Sequence, residues 1–571
     1  MKKILKETKW LLSQVKPVKF NLILIILIGS VSSILNVYRA VVSKSLIDSA
    51  TLGNKELIIK WIIIFAMLLC SDIAFSTLNS ILTTYCSGKI SNNTQSTLYQ
   101  HVTYSEWIEH SKHHSVNLLT KITNDVGTVS SVLTDTLPSM ISFFVMLITA
   151  FATLLFLEPT MAILSIIIFP VCIFIGKFYG QRQKKVYIDI QDQEVKYRTF
   201  IQETLQNITI VKSFTQEKNN MLSLKNLQNK KLKLLLKRSK INAFSNTFIQ
   251  IGAWGGYFAV FYWGAMNLSK GTDAFGTLTA LLQLFGNIQG PFIMFAYSLP
   301  QIINSYGATE RLMDIEKMTL EDTTIENLFK IDKPMNMEFK NVSFKYKENL
   351  PILKNVSFKI NQGDIVALVG TSGEGKTTLI RLLLSFIHAT DGELLINQNG
   401  EKLNVNRDFR HMISYVPQGN TLFSGSIEDN ISYGINPVSF SEIYEAAKQA
   451  CALDFIENLE DKFSSEIGER GVGLSEGQVQ RIAIARALIR KKPVLILDEA
   501  TSALDGDTEM KLLQSIKNLK NKPTCLIITH RPSALDICNK ILTLKDGILS
   551  VSYNTKVSEE FQESEVAVET V

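Results

Sequence analysis

The chain has 571 residues, 46% of them hydrophobic and 20% charged, with a formal net charge of +6. It is too long for one ordinary domain and too apolar for a typical soluble protein, so two regions of different character are expected. The six cysteines (Cys70, Cys86, Cys172, Cys451, Cys525, Cys538) are scattered, which excludes a disulfide framework and reads as buried thiols in a reducing compartment.

The leader MKKILKETKWLLSQVKPVKF is basic, and six long apolar runs follow, at 20–38, 57–82, 137–157, 161–175, 248–268 and 275 to about 299. Each is close to or above the about 20 residues that a spanning helix needs, 161–175 being the shortest. Six transmembrane helices are expected. The long basic lead and the lack of a small-residue cleavage site favour an uncleaved first helix over a signal peptide. The connections 87–136 and 177–247 are long and rich in Lys and Arg, as in KKLKLLLKRSK, whereas LEPTM and NLSKGTD are short and hold few. The positive-inside rule therefore puts the N-terminus and both long connections in the cytoplasm. Beside a span, this basic character reads as topogenic and lipid-facing charge, with no nucleic-acid partner. Both connections have helical spacing and few Gly or Pro, so they read as extensions of the spans.

Arg39 and Asp72 are the candidate intramembrane charges; Asp72 is the better candidate for function, Arg39 lying nearer an interface. The fifth run is aromatic-rich and the sixth carries Gln283, Asn287 and Gln289. Together they suit a cavity for an amphipathic molecule, or equally helix packing through amide hydrogen bonds.

Past Pro300 the pattern changes. Residues 1–19 form a lead-in, 20–310 the membrane domain, 311–336 a charged linker and 337–555 a soluble α/β domain, with 556–571 an acidic, mobile tail.

In that domain the strand-like IVALVG leads into Gly370, Thr371, Ser372, Gly373, Glu374, Gly375, Lys376 and Thr377, then the helix-like TLIRLLLSF. This is G-x-x-x-x-G-K-T in its strand, loop, helix context. The loop lets backbone N–H groups wrap phosphate oxygens, Lys376 reaches the β and γ phosphates, and Thr377 is a Mg²⁺ ligand. The second anchor is VLILDEATSALD, an apolar run suited to a buried parallel strand. Asp498 at its end is placed to hold Mg²⁺ and Glu499 to polarise the attacking water.

On these motifs the chain resembles the ABC exporter family in its half-transporter form, six spans fused to one nucleotide-binding domain, of the bacterial multidrug, lipid or peptide type. The resemblance implies an α-helical membrane domain (type 1 exporter fold) joined to an α/β P-loop ATPase. It further implies that Tyr346 stacks on adenine, that Thr378 joins the phosphate loop, and that Gln418 contacts Mg²⁺ and the membrane domain. SSEIGERG resembles the family's X-loop with Glu469 as coupling residue, residues 502–505 its D-loop, and His530 the switch histidine near the γ-phosphate. Phe214 and Glu217 fall at matching positions around the second coupling helix. LSEGQ resembles the family signature, with Ser475, Gly477 and Gln478 facing the partner's ATP. It departs at Glu476, where the family has glycine; a carboxylate turned outward at a helix N-terminus is electrostatically welcome, so an active variant is expected.

The resemblance implies ATP and Mg²⁺ as cofactors and a dimer, a homodimer being favoured over a heterodimer. It implies export of an amphipathic or hydrophobic substrate by alternating access from a cytoplasmic-membrane location. A siderophore-type importer on the same fold and a non-transporting membrane regulator remain alternatives.

Overall fold

The computed structural model describes residues 2–554 except 113–114, 271–273, 324–328, 331–334, 348–349, 469–470 and 472, and the side chains of 164–185, among others within helices, lie outside the description. The expected coupling residue Glu469 and the acidic tail therefore fall outside the described residues. The chain divides into two compact units: Met1–Thr103 with His114–Lys317, and Tyr104–His113 with Met318–Val571.

The first unit is helical, as a segment in lipid must be to satisfy its own backbone. It comprises α1 (Lys2–Gln14), α2 (Lys19–Thr51) and α3 (Lys55–Thr103); α4 (Trp107–Ser111) belongs to the second unit. Next, α5 (Ser115–Thr120), α6 (Val126–Ser131) and α7 (Leu137–Leu157) follow one another through two π-helical turns, Lys121–Asp125 and Val132–Thr136. The unit ends with α8 (Pro159–Gln206), α9 (Ile208–Ser213), α10 (Glu217–Ser269) and α11 (Phe275–Glu316). Helices α3, α8 and α10 run to 49, 48 and 53 residues. That is more than twice what a bilayer core holds, so much of each is the expected extension.

Among the described residues four helical stretches are long and apolar enough to cross a membrane: Lys16–Thr51, Lys55–Thr103, Leu118–Leu157 and Phe275–Glu316. The runs 161–175 and 248–268 lie on α8 and α10.

The core of this unit gathers Val37 and Ala40 from α2, Ala150 and Leu154 from α7, and Leu281, Leu284 and Phe285 from α11. Close approach of α11 to α2 requires Gly276, where a Cβ would stand 2.4 Å from the Lys44 carbonyl oxygen; its N–H donates to Asp48 Oδ1 at 2.9 Å. Arg39 and Asp72 pair across α2 and α3 at 3.8 Å, and Ser32 Oγ donates to Asp72 Oδ1 at 3.0 Å. The cysteines correct the sequence reading: Cys86, Cys525 and Cys538 are buried, but Cys451 is half-buried and Cys70 exposed on α3.

The second unit holds β1 (Met335–Lys347), β2 (Leu350–Ile360), β3 (Ile365–Val369), α12 (Lys376–Leu383), β4 (Asp391–Gln398), β5 (Glu401–Asn404) and β6 (Ile413–Val416). After a two-residue pairing of β7 (Gly425–Ser426) with β8 (Glu466–Ile467) come β9 (Val494–Asp498), β10 (Thr524–Ile528), β11 (Lys540–Lys545) and β12 (Ile548–Tyr553). The helices are α13 (Ile427–Ser432), α14 (Phe440–Gln449), α15 (Leu453–Glu457), α16 (Glu476–Leu488), α17 (Gly506–Lys517) and α18 (Pro532–Leu535).

The main sheet has the order β12-β11-β3-β10-β9-β6, parallel except for the edge strand β12. Its central strands β9 and β10 are buried at every residue, the mark of a parallel sheet covered on both faces. The antiparallel sheet β2-β1-β4-β5 packs its inner face, with Phe339, Val342 and Phe358, on one side of the main sheet.

Candidate nucleotide site

Open parallel sheets bind ligands beyond the carboxyl ends of their strands. Four expected residues or loops lie there: the Gly370 loop after β3, Gln418 after β6, Asp498 and Glu499 at the end of β9, and His530 after β10. The loop needs its glycines. Gly373 and Gly375 have φ of +90° and +107°, a region L-residues avoid, and a Cβ on Gly370 would stand 2.5 Å from the Leu544 carbonyl oxygen. Gly375 caps α12, so Lys376, Thr377 and Thr378 form its first turn, where free N–H groups and the helix dipole favour an anion.

Lys376 is buried, and its Nζ donates to the carbonyls of Gly370 at 2.5 Å and Thr371 at 3.0 Å. Inside the loop, Thr371 donates from N and Oγ1 to the Glu374 carboxylate at 3.1 and 2.6 Å, which rigidifies the turn. Ser372 and Thr377 are exposed.

The acidic cluster sits against this loop. Lys376 Nζ lies 3.4 Å from His530 Nε2, which is 3.7 Å from Glu499 Oε1, and Gln418 Nε2 donates to Glu499 Oε2 at 2.6 Å. Glu499 has φ +51°, a conformation rare for a non-glycine residue, and its N–H is tied to the Ile528 carbonyl at 3.1 Å. Such held strain clusters at functional sites. Asp498 is 5% exposed and accepts from Tyr415 OH at 3.2 Å. Burial lifts its carboxyl above the usual range against the opposing Tyr415 hydrogen bond, with Glu499 adding to the rise. A carboxylate so placed favours a cation beside it, and the oxygens of Asp498, Thr377 and Gln418 are of the kind that hold Mg²⁺.

The LSEGQ segment forms the start of α16. Ser475 is its N-cap: its Oγ accepts from Gln478 N–H at 3.3 Å while its own N–H donates to Gln478 Oε1 at 2.8 Å. Glu476 is exposed at the first helical position with ordinary helical geometry, so an L side chain fits where the family has glycine. Gly477 is different: a Cβ there would stand 2.9 Å from the Ala503 carbonyl oxygen. The departure falls at the position with room, and the glycine that remains is the one packing requires.

Several positioning residues escaped sequence reading. Gln480 is buried and donates to Ser502 Oγ while accepting from Ala503 N–H, both at 3.0 Å. Arg531 donates to the Ser502 and Leu504 carbonyls at 2.6 and 2.8 Å and to Glu509 Oε2 at 3.1 Å. Gln480 and Arg531 thus hold the 502–505 turn, and Glu509 holds Arg531. Their partners lie far away in sequence, so the one available signal was the arginine directly after His530.

Tyr346 stands on β1, half-exposed, edge-on to Phe344, and its hydroxyl accepts from Arg381 Nη1 at 2.9 Å. Arg381, on α12, also lies over the ring of Trp107 at 4.3 Å, and Trp107 stacks on Phe386. The segment around Trp107 is held in this unit by backbone bonds from Glu106 to Thr319 and from Glu321 to Tyr104, each 2.9 Å. Glu321 in turn pairs both nitrogens of Arg410 at 2.8 Å and Arg407 at 3.0 Å. Phe214 and Glu217 lie in the other unit, flanking the start of α10, and are exposed.

Residues 20–292 match the ABC transporter transmembrane region and residues 353–502 the ABC transporter ATPase family. The chain is 31% identical over 511 residues to an ATP-dependent lipid A-core flippase of Syntrophus aciditrophicus (strain SB), covering 88% of this chain and 84% of that one. It is 31% identical over 468 residues to a putative multidrug export ATP-binding/permease protein of Staphylococcus aureus (strain NCTC 8325 / PS 47), covering 81% and 80%. Its fold is that of a bacterial Atm1-family ABC exporter solved with ATP bound, with TM-score 0.80 and 22% identity over 98% of this chain and 99% of that one. With a membrane-spanning region and an ATP-hydrolysing domain matched in one polypeptide, the chain belongs to the ABC transporter family as an exporter-type subunit that couples ATP hydrolysis to transport.

Proposed function

We propose that the chain exports an amphipathic or hydrophobic molecule across the cytoplasmic membrane, working as a dimer by alternating access. The observation that carries the ATP-driven part is the connected set Lys376, His530, Glu499 and Gln418 at the ends of the parallel strands. In this reading Tyr346 stacks on adenine, and Gly370, Thr371, Ser372, Gly373, Glu374, Gly375, Lys376, Thr377 and Thr378 cradle the phosphates. Glu499 orients the attacking water and accepts its proton, with Gln418 holding one carboxylate oxygen and His530 lying beside the other. Thr377, Gln418 and Asp498 would hold Mg²⁺, which when bound neutralises phosphate charge.

A dimer is favoured because Ser475 is exposed and its Oγ only accepts, from Gln478 N–H, so its hydroxyl can donate to a second subunit's nucleotide. ATP would then favour the closed pair and hydrolysis would release it, a population shift set by differential affinity. The positive-inside pattern supports a cytoplasmic nucleotide-binding unit. The relatives' names, a lipid A-core flippase and a multidrug exporter, support an amphipathic cargo.

The test is reconstitution in inverted vesicles, with ATPase stimulation screened across lipids, peptides and drug-like amphiphiles and Glu499→Gln as the inactive control. ATP-dependent accumulation inside inverted vesicles is expected. ATP-driven depletion from them would establish import, and ATPase activity blind to every solute, with no vesicle transport, would establish a regulator.

A further inference from the structure

Within the membrane unit α2, α3 and the start of α7 line a partly open cavity of about 100 Å³, room for several waters by the roughly 10–15 Å³ that each requires. Its apolar walls are ordinary, Ile25 and Phe143 among them; its polar lining is not. Asn79 and Thr83 reach it from α3, Thr134 and Asp135 from the π-helical turn, and Ser139 and Ser142 from α7. Asn79 and Thr83 flank the end of the apolar run 57–82, and Ser139 and Ser142 fall at the start of 137–157, so polar groups gather where two apolar runs meet.

Four features of this cavity converge. Asn79 Oδ1 is buried with no hydrogen-bond partner. Thr134 and Ser142 already donate their hydroxyl protons to the backbone carbonyls of Ser130 and Pro138, at 3.0 and 3.2 Å, so they offer acceptor lone pairs. Asp135, an exposed residue, is the one ionisable residue among the lining residues, and no Lys or Arg is among them. The helix departs from α geometry at Val132–Thr136, as helices do at functional sites. Gly29 completes the wall: a Cβ there would stand 2.3 Å from Ser142 Oγ.

An acceptor-rich pocket with a single negative charge suits one monovalent cation. A divalent metal would want more carboxylates, and an anion would meet the Asp135 carboxylate. We propose that this cavity binds a monovalent cationic group, the primary ammonium head of a transported amphiphile or a free alkali ion. The proposal deepens the export reading and rests on it for the meaning of the site. Its test reads binding, so its failure is distinguishable from a failed vesicle assay.

The full chain in phosphatidylcholine nanodiscs is titrated with dodecylammonium, dodecyltrimethylammonium and dodecanol while its thermal unfolding is followed. Dodecylammonium, which brings three N–H donors, is expected to stabilise most. Asp135→Asn should weaken its apparent affinity at least tenfold and leave the dodecanol response unchanged. Thr83→Val and Ser142→Ala, each removing one oxygen, should cost about threefold and serve where Asp135→Asn fails to assemble. Replacing N-methylglucamine chloride by sodium or potassium chloride separates the sources. Stabilisation by the alkali ion with loss of the amine response assigns the site to the inorganic ion, and indifference to it assigns the site to the head group. Equal responses to the three amphiphiles with no alkali effect, or an ammonium or alkali response untouched by all three substitutions, overturn the proposal.

Discussion

The run 57–82 on α3 and the run 494–497 on β9 are both uninterrupted by charge apart from Lys60 and Asp72, yet they end in opposite surroundings. Every residue of β9 is buried by its own chain, whereas none of the most apolar stretch of α3 is. Hydrophobicity in a sequence therefore says only that water is kept away. In the nucleotide unit protein excludes it, covering the sheet on both faces. On α3 that task falls to lipid or another subunit, and large side chains such as Ile62, Met67 and Ile73 stand bare. Packing energy should accordingly concentrate in one unit, and the environment should decide the stability of the other.

Five substitutions break or sharpen this contrast. The largest effect is chemical: Glu499→Gln should lower ATP turnover by about 10²–10⁴-fold while nucleotide binding changes little, measured as steady-state phosphate release beside ATP binding. Next comes packing. Ile496→Ala, at a fully buried position of β9, should cost about 2–5 kcal/mol, whereas Ile73→Ala, 67% exposed on α3, should leave the melting temperature in lipid unchanged. Equal losses would mean that α3 is as tightly covered as β9, and the contrast would fail. Arg381→Met removes both the Tyr346 hydrogen bond and the stack on Trp107. Together these support about a fivefold rise in KM for ATP with kcat nearly kept, about 1 kcal/mol. The smallest effect belongs to Glu476→Gly, expected to change ATPase activity by less than about tenfold, or about 1.4 kcal/mol. A larger gain would identify the glutamate as a brake.

Much of the candidate site could be read from residue order, because each motif carries its own local geometry. The Gly370 loop needs only positive-φ glycines between a strand and a helix, and β9 needs only an apolar run ending in carboxylates. The start of α16 was equally legible: Ser475 and Gln478 stand at capping-box spacing, which set Glu476 at an outward helical position. What sequence could not give is the long-range pairing. Gln480 and Arg531 hold the 502–505 turn, with Glu509 holding Arg531, through contacts that depend on three elements meeting. The Arg39–Asp72 pair depends on how α2 and α3 are rotated about their axes, and apolar composition leaves that rotation open. The same blindness misplaced Cys70: an apolar run reads as interior, but on a lipid-exposed helix one side of it faces out.

The ten residues of Tyr104–His113 belong with Met318–Val571, about 200 positions further along the chain. Time enters here, since ribosomes emit residues at about 5–20 per second. Trp107 and Tyr104 therefore wait roughly 10–40 s before the first of their neighbours, Thr319 and Leu320, is even made, and longer still for Arg381, Phe386 and Arg407. Through that interval an aromatic docking segment is displayed without its dock. Its capture by the ATPase unit is therefore a late event in synthesis.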